Sequence, residues 1–222
     1  MEGHGRSTSA TQQSGSRTQA QRTEESRGRL IAACIALLGE KGYGGTTLSE
    51  IGQRAGVSRS LVSFHFGSKE QIMVQVVATI RTTMEVALAK SGLVGLAAID
   101  LLVDSYLHSD SNASPAARAM YVILVESATS TPGLQPTAAE QNESFRNLIA
   151  TSIRQAVGLG EVAEVTDPDR IAVAIQGLLR GILIQYIVDP DAVDLEAART
   201  TAKQMVADHL RNGALTGETL RR

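Results

Sequence analysis

There is no tryptophan in these 222 residues, only one cysteine, and aromatic side chains make up just 3% of the chain. A lone cysteine, Cys34, cannot form an internal disulfide and fits a reducing cytoplasm. Its natural place is the inner face of a helix, where free cysteine behaves as a small apolar residue. Nowhere do about 18 apolar residues run together without a charge, so no segment is expected to span a membrane. The opening MEGHGRSTSATQQSGSRTQAQ lacks the apolar block of a signal peptide and reads as a disordered polar arm. Strand-like alternation is missing as well. Apolar residues recur instead at three- and four-residue intervals along almost the whole chain.

Acid and base nearly cancel. The formal net charge is −2, which alone argues against a nucleic-acid partner. The charges are unevenly placed, however: residues 1–69 hold nine Lys or Arg against five Asp or Glu, a net of +4, and residues 70–222 carry −6. A small basic portion joined to an acidic remainder fits one part that meets phosphate and a larger part that does not.

Start and stop signals divide the chain into nine helices, an all-α class. The first is expected over 23–41, with Leu30, Ile31, Cys34, Leu37 and Leu38 as its stripe and Gly42 as its stop. Thr47 opens the second with Glu50 as capping-box partner, and Gly56 ends it. Ser58 caps the third. Ser68 with Gln71 opens a fourth that runs to about Ser91. The rest are expected at 93–109, 114–130, 137–157 (Thr137 boxed with Glu140), 167–188 and 194–212, with SDSN, TPGLQP and DPDAV among the connectors. The organisation is then an arm over 1–22, a small helical domain over 23–69, a larger one over 70–213 and a flexible tail over 214–222.

The stretch AGVSRSLVSFHFGSKE, residues 55–70, raises the functional question. Two short helices joined by a tight glycine turn make a helix-turn-helix. Gly56 fits a sharp reversal with positive φ, and Ala55 is small where the two helices approach. Leu48, Ile51, Ala55, Val57 and Val62 supply the inner faces, and Phe66 belongs to the core. Arg59, Ser60, Ser63, Phe64 and Lys69 are left to point outward. A protruding helix bearing Arg and Ser suits the donors and acceptors of a major groove. The helix N-termini at Thr47, Ser58 and Ser68 offer free N–H groups to phosphate oxygens. His65 reads equally as a packed residue or a DNA contact. Lys69 sits unfavourably at the positive end of its own helix, a position that a nearby phosphate would explain.

With these residues in view, the region 28–75, centred on TTLSEIGQRAGVSRSLVSFHFGSKEQI, resembles the DNA-binding domain of TetR-type bacterial transcriptional regulators. Thr46-Thr47, Ile51, Ala55-Gly56-Val57-Ser58, the ending Phe64-His65-Phe66 and Ser68-Lys69-Glu70 carry the likeness. The later GILIQYIVDPDAVDL looks like a segment found in one branch of that family. Many members place a phosphate-contacting tyrosine where this chain has Ser63; serine reaches less far, and Phe64 keeps an aromatic next door. The resemblance implies a cytoplasmic, dimeric, ligand-responsive repressor that binds a palindromic operator in double-stranded DNA. It also implies a pocket for a small-molecule effector among the later helices, for which Met84, Tyr106, Met120, Tyr121, Phe145, Gln176 and Arg180 are candidates.

The helix expected at 167–188 is apolar on nearly every side. Ile175, Leu178, Leu179, Ile182 and Tyr186 form one wall, while Gly177, Gly181, Ile184 and Val188 form a second. An amphipathic helix needs only one buried stripe, so the second wall points to a copy of the chain and a two-fold dimer. Arg180 on this helix needs a partner, for which Glu126 is a candidate. No catalytic signature appears: His108 and His209 have no evident partner, and GLVG (92–95) and GLGE (158–161) read as helix ends. No enzyme activity, cofactor or metal is therefore expected. The competing readings are an activator or ligand-independent regulator with the same heads, or a helical enzyme or carrier with an incidental helix-turn-helix.

Overall fold

A computed structural model describes residues 18–107, 114–164 and 167–212. His108, the SDSN connector, most of the arm and the tail lie outside them. The described residues form nine α-helices and no strand: α1 (Gln19–Lys41), α2 (Leu48–Ala55), α3 (Arg59–Phe66), α4 (Lys69–Ser91), α5 (Gly95–Leu107), α6 (Pro115–Thr129), α7 (Gln135–Gly158), α8 (Pro168–Val188) and α9 (Leu195–Arg211). A 3-10 turn, Pro132–Leu134, precedes α7.

Two helix starts fall earlier than expected, each for a local reason. α1 begins four residues early because Thr18 and Gln21 form a capping box: the Thr18 N–H donates to Gln21 Oε1 at 2.8 Å and the Gln21 N–H to Thr18 Oγ1 at 3.2 Å. Residues 19–22 of the expected arm are therefore helical. At α7 the Thr137–Glu140 box is not used. The 3-10 turn feeds directly into the helix, Pro136 occupies its first turn, and Glu140 instead pairs with Arg81 at 2.5 Å.

Apolar side chains collect into two cores. One gathers Leu30, Cys34, Leu37 and Leu38 of α1 with Ile51, Val62 and Phe66 of the helix-turn-helix and Ile72, Met73 and Val76 of α4. It does not stop there, but continues into Ala119, Met120 and Ile123 of α6 and Leu134. The other joins α5, α7, α8 and α9 through Leu102, Phe145, Ile149, Ile153, Leu179 and Leu183 among others. Burial of Cys34 in the first core pushes its thiol pKa up to about 12, so it stays protonated and unreactive at neutral pH.

Two helices, α4 and α8, are long and apolar enough to cross a membrane by length and composition. The sequence expectation had considered only runs free of charge, and to that extent it is corrected. Each carries an arginine with a partner on α7: Arg81 of α4 pairs with Glu140 at the surface, and Arg180 of α8 donates to Asn142.

The α2–α3 turn depends on two glycines. Gly56 caps α2 in the left-handed conformation, φ 72° and ψ 30°. Gly52 is the point of closest approach: a Cβ there would lie 2.9 Å from the Val57 carbonyl oxygen and 3.2 Å from a Val62 methyl. That corrects the assignment of the close contact to Ala55, which is only half-buried. Gly52→Val should lower the unfolding free energy by about 1–3 kcal/mol through overpacking against backbone. Urea unfolding measures this; an unchanged midpoint would mean the two helices part easily.

Candidate nucleic-acid interface and ligand cavity

The third helix presents the outward face anticipated for it. Phe64 is 81% exposed, Arg59 and Ser60 are exposed, and Ser63 is half-buried. Val62 and Phe66, on the opposite face, are buried and anchor the helix. Ser58 caps it, accepting from the Leu61 N–H at 3.3 Å, and its hydroxyl lies 2.8 Å from that of Ser60. Thr47 caps α2, but its hydroxyl is taken up by Glu50, from whose N–H it accepts at 3.2 Å and to whose Oε2 it donates at 3.1 Å. His65 is half-buried between Phe64 and Phe66, with ring centroids 5.6 and 6.1 Å away.

Lys69 is placed differently from expectation. Its ammonium turns inward, donating to the Tyr43 carbonyl at 2.5 Å and lying 3.7 Å from the centre of the Tyr43 ring. Burial holds its pKa below the usual lysine value, opposed by Glu126 of α6 and Glu70. This seam between the head and α6 accounts for a lysine at a helix N-terminus without any phosphate. Two other head cations are also paired: Arg54 bonds Glu40 through both terminal nitrogens, at 3.0 and 2.6 Å, and Lys41 bonds Glu50 at 2.7 Å. Arg59 makes no ion pair among the described residues.

Sequence reasoning missed Arg27. From α1 it donates to the His65 carbonyl and to Gln75 Oε1, both at 3.3 Å, with its guanidinium 5.0 Å from the Phe66 ring centre. It ties the C-terminal end of the exposed helix to α1 and α4. Only the fold brings residues 38 and 48 positions apart into one clamp.

A cavity of about 280 Å³ lies among α1, α4, α5, α6, α7 and α8. Six of the seven proposed ligand residues line it: Met84, Tyr106, Met120, Phe145, Gln176 and Arg180. Tyr121 does not, although it is near enough to Tyr106 to influence its ionisation. The Tyr106 and Phe145 rings stack obliquely, 5.4 Å apart. Arg180 donates to Asn142 Oδ1 at 2.5 Å, not to Glu126. Burial pushes the Tyr106 hydroxyl pKa up, while the adjacent Arg180 opposes that shift. Gln176 is held at both ends, by Arg146 and the Asn142 carbonyl. A wider trough of about 820 Å³ runs along α4 and α7, where Arg81 pairs with Glu140 and Ser144 donates to Glu85. Among the described residues no group of three or more His, Cys, Asp or Glu could hold a metal.

On α8 the two walls separate as the spacing implied. Ile175, Leu179 and Tyr186 are buried, joined by Leu183, while Leu178 and Ile182 are only partly covered. Along the opposite side Val173 is 55% and Val188 75% exposed, and a Cβ at Gly177 or Gly181 would meet open space. Ile184 is half-exposed beside them.

The N-terminal region, residues 30–76, matches the family model of bacterial regulatory proteins of the tetR family, and residues 96–211 match that of the BetI-type transcriptional repressor C-terminal region. The chain belongs to the TetR family. It is thus a transcriptional regulator with a helix-turn-helix, in a family of regulators rather than enzymes. The HTH-type transcriptional regulator BetI of Rhizobium meliloti is 26% identical over 196 residues, covering 83% of this chain and 89% of that one. Among solved structures, a transcriptional regulator from Saccharomonospora viridis in complex with choline aligns with a TM-score of 0.72 at 18% identity, over 82% of this chain and 96% of its own. The triclosan complex of SmeT, from Stenotrophomonas maltophilia, gives 0.68 at 22%, over 83% and 90%. Both likenesses concern the fold.

Arg59 therefore stands on the exposed helix of a TetR-family head as its unpaired cation. Arg59→Ala should weaken binding to the preferred duplex by about 1–3 kcal/mol and relax discrimination at one base position. Titration of a labelled duplex and its single-base variants measures both; equal loss on every sequence would make Arg59 a backbone contact.

Proposed function

We propose that this regulator is a homodimeric repressor whose two exposed α3 helices read a palindromic operator and are displaced by a small molecule in the cavity between α4 and α8. The observation that carries the reading is shared packing. Met120 both lines the cavity and belongs to the core of the DNA-reading head, and Ile35 of α1 packs on that core while also lining the cavity. A ligand that spreads these walls acts directly on the helix to which the head is fastened. Repression rather than activation is supported by the repressor-type C-terminal match.

Thr47, Ser58 and Ser68 would seat phosphates at helix N-termini, while Arg59, Ser60, Ser63 and Phe64 would face bases or sugars. Lys69 acts here as a strut to Tyr43 rather than as a phosphate ligand. The exposed side of α8, with Gly177, Gly181, Ile184 and Val188, would pack against its two-fold mate together with α9, whose Met205 is 56% exposed. Two heads so related would meet half-sites about 34 Å apart. Ligand binding would favour a dimer whose heads are set at another spacing, and operator affinity would fall by that differential affinity.

Selection from random duplexes at physiological salt should enrich one inverted repeat; enrichment of a single half-site, or none, would overturn the dimeric reading. Gly181→Leu should convert the dimer to monomer on sedimentation. A persistent dimer would place the interface elsewhere. Lys69→Met should leave the slope of log affinity against log salt unchanged, since a lost phosphate contact would flatten it by about one unit.

A further inference from the structure

The effector cavity has a definite polarity. Its lining is mostly apolar, with Ile80, Met84, Met120 and Phe145 among the walls, and the described residues of the lining include no Asp or Glu. Arg180 is the one charged residue among the described residues of the wall. Its partners are the neutral Asn142 amide and Tyr106 hydroxyl, and no described carboxylate pairs with it. The Nε of Arg180 is buried without any hydrogen-bond partner, and so is Oε1 of Gln141, which stands on the same cavity. Gln141 escaped the sequence reading because its helical position looks like ordinary core.

A guanidinium at the wall of a largely apolar space, with only neutral partners, lacks a counter-charge among the described residues. Unsatisfied buried polar atoms in a native fold mark either strain or a missing partner. Here a donor and an acceptor are left over just behind the wall of one cavity, on two residues that line it. An N–H on a cation calls for an anionic acceptor, and an amide oxygen calls for a donor. A cavity of about 150 Å³ accepts benzene, so about 280 Å³ suits one ring or a short chain with a polar head.

We infer that the cavity takes a small, largely apolar organic acid, whose anionic head is held by Arg180 and whose hydrogen-bond donor meets Gln141. The inference rests on the effector role proposed above. Both side chains shift to close on the bound molecule. A quaternary ammonium such as the choline held by the Saccharomonospora viridis protein would lie beside a like charge with no carboxylate to offset it.

The test uses the full-length protein and a matched set of aryl and C6–C10 alkyl skeletons, each bearing a carboxylate, a carboxamide or an ammonium head. Thermal shift and calorimetry should show carboxylates binding at least about tenfold tighter than their amides, and ammonium members not binding. Arg180→Met should abolish that preference, and Arg180→Lys should retain part of it. Hydroxylated counterparts of the same acids extend the set: the unsubstituted protein should prefer them, and Gln141→Leu should bind acids with and without the hydroxyl alike. Unliganded melting curves check that each variant folds. If amides or ammonium compounds bind as well as the acids, or no acid binds, the ligand class is overturned while operator reading stands. If acids bind through Arg180 yet leave operator occupancy unchanged, the ligand class stands and the effector role falls.

Discussion

The fold depends on α1 having two apolar faces. One face supports the helix-turn-helix; the other lies against α6, so that Leu30, Leu37 and Ile51 share a core with Ala119, Met120 and Ile123. A unit as small as the head buries too little surface to hold itself rigidly. It borrows the missing cover from α6 and Leu134 of the larger half. Domain coupling is therefore a by-product of stability here, without a dedicated lever. The Lys69–Tyr43–Glu126 seam adds a partly buried polar contact along the same boundary, and Arg27 extends the hold to the far end of α3.

Electrostatics in the head follow a consistent allocation. Arg54, Lys41, Lys69 and Arg27 all hold the head together, through Glu40, Glu50, the Tyr43 carbonyl and the His65 carbonyl. The exposed pairs contribute little to stability individually. Their larger effect is to reduce the free positive charge on a chain whose formal net charge is already −2. Non-specific attraction to DNA scales with unpaired cations, so on the proposed reading such a head would gain its selectivity from shape and from base contacts around Arg59 and Phe64.

Most helices were legible because capping and periodicity are local: Thr47, Ser58, Ser68, Asp167 and Asp194 each cap the helix they appeared to start. Thr137 misled for the same local reason, since nothing in its pattern reveals that a 3-10 turn will reach it first. The cavity candidates were found because Met, Phe and Tyr at helical spacing line interiors of either kind. Partners were not legible. Whether Arg180 meets Glu126 or Asn142, or Lys69 a phosphate or Tyr43, depends on helix crossing geometry that one-dimensional spacing does not encode. Gly52 escaped for a related reason, because a glycine inside an eight-residue helix looks like a weakness until its neighbour is in place.

Met120 stands at the centre of this arrangement, being wall on one side and floor on the other. Its unbranched side chain adapts readily to a changed neighbour. Shortening it would widen the chamber for bulkier molecules and at the same time thin the support beneath the reading head. Lengthening or branching it would do the reverse. On the proposed function, breadth of ligand acceptance and firmness of operator grip would thus be tied to a single side chain, and change at this position would move both together.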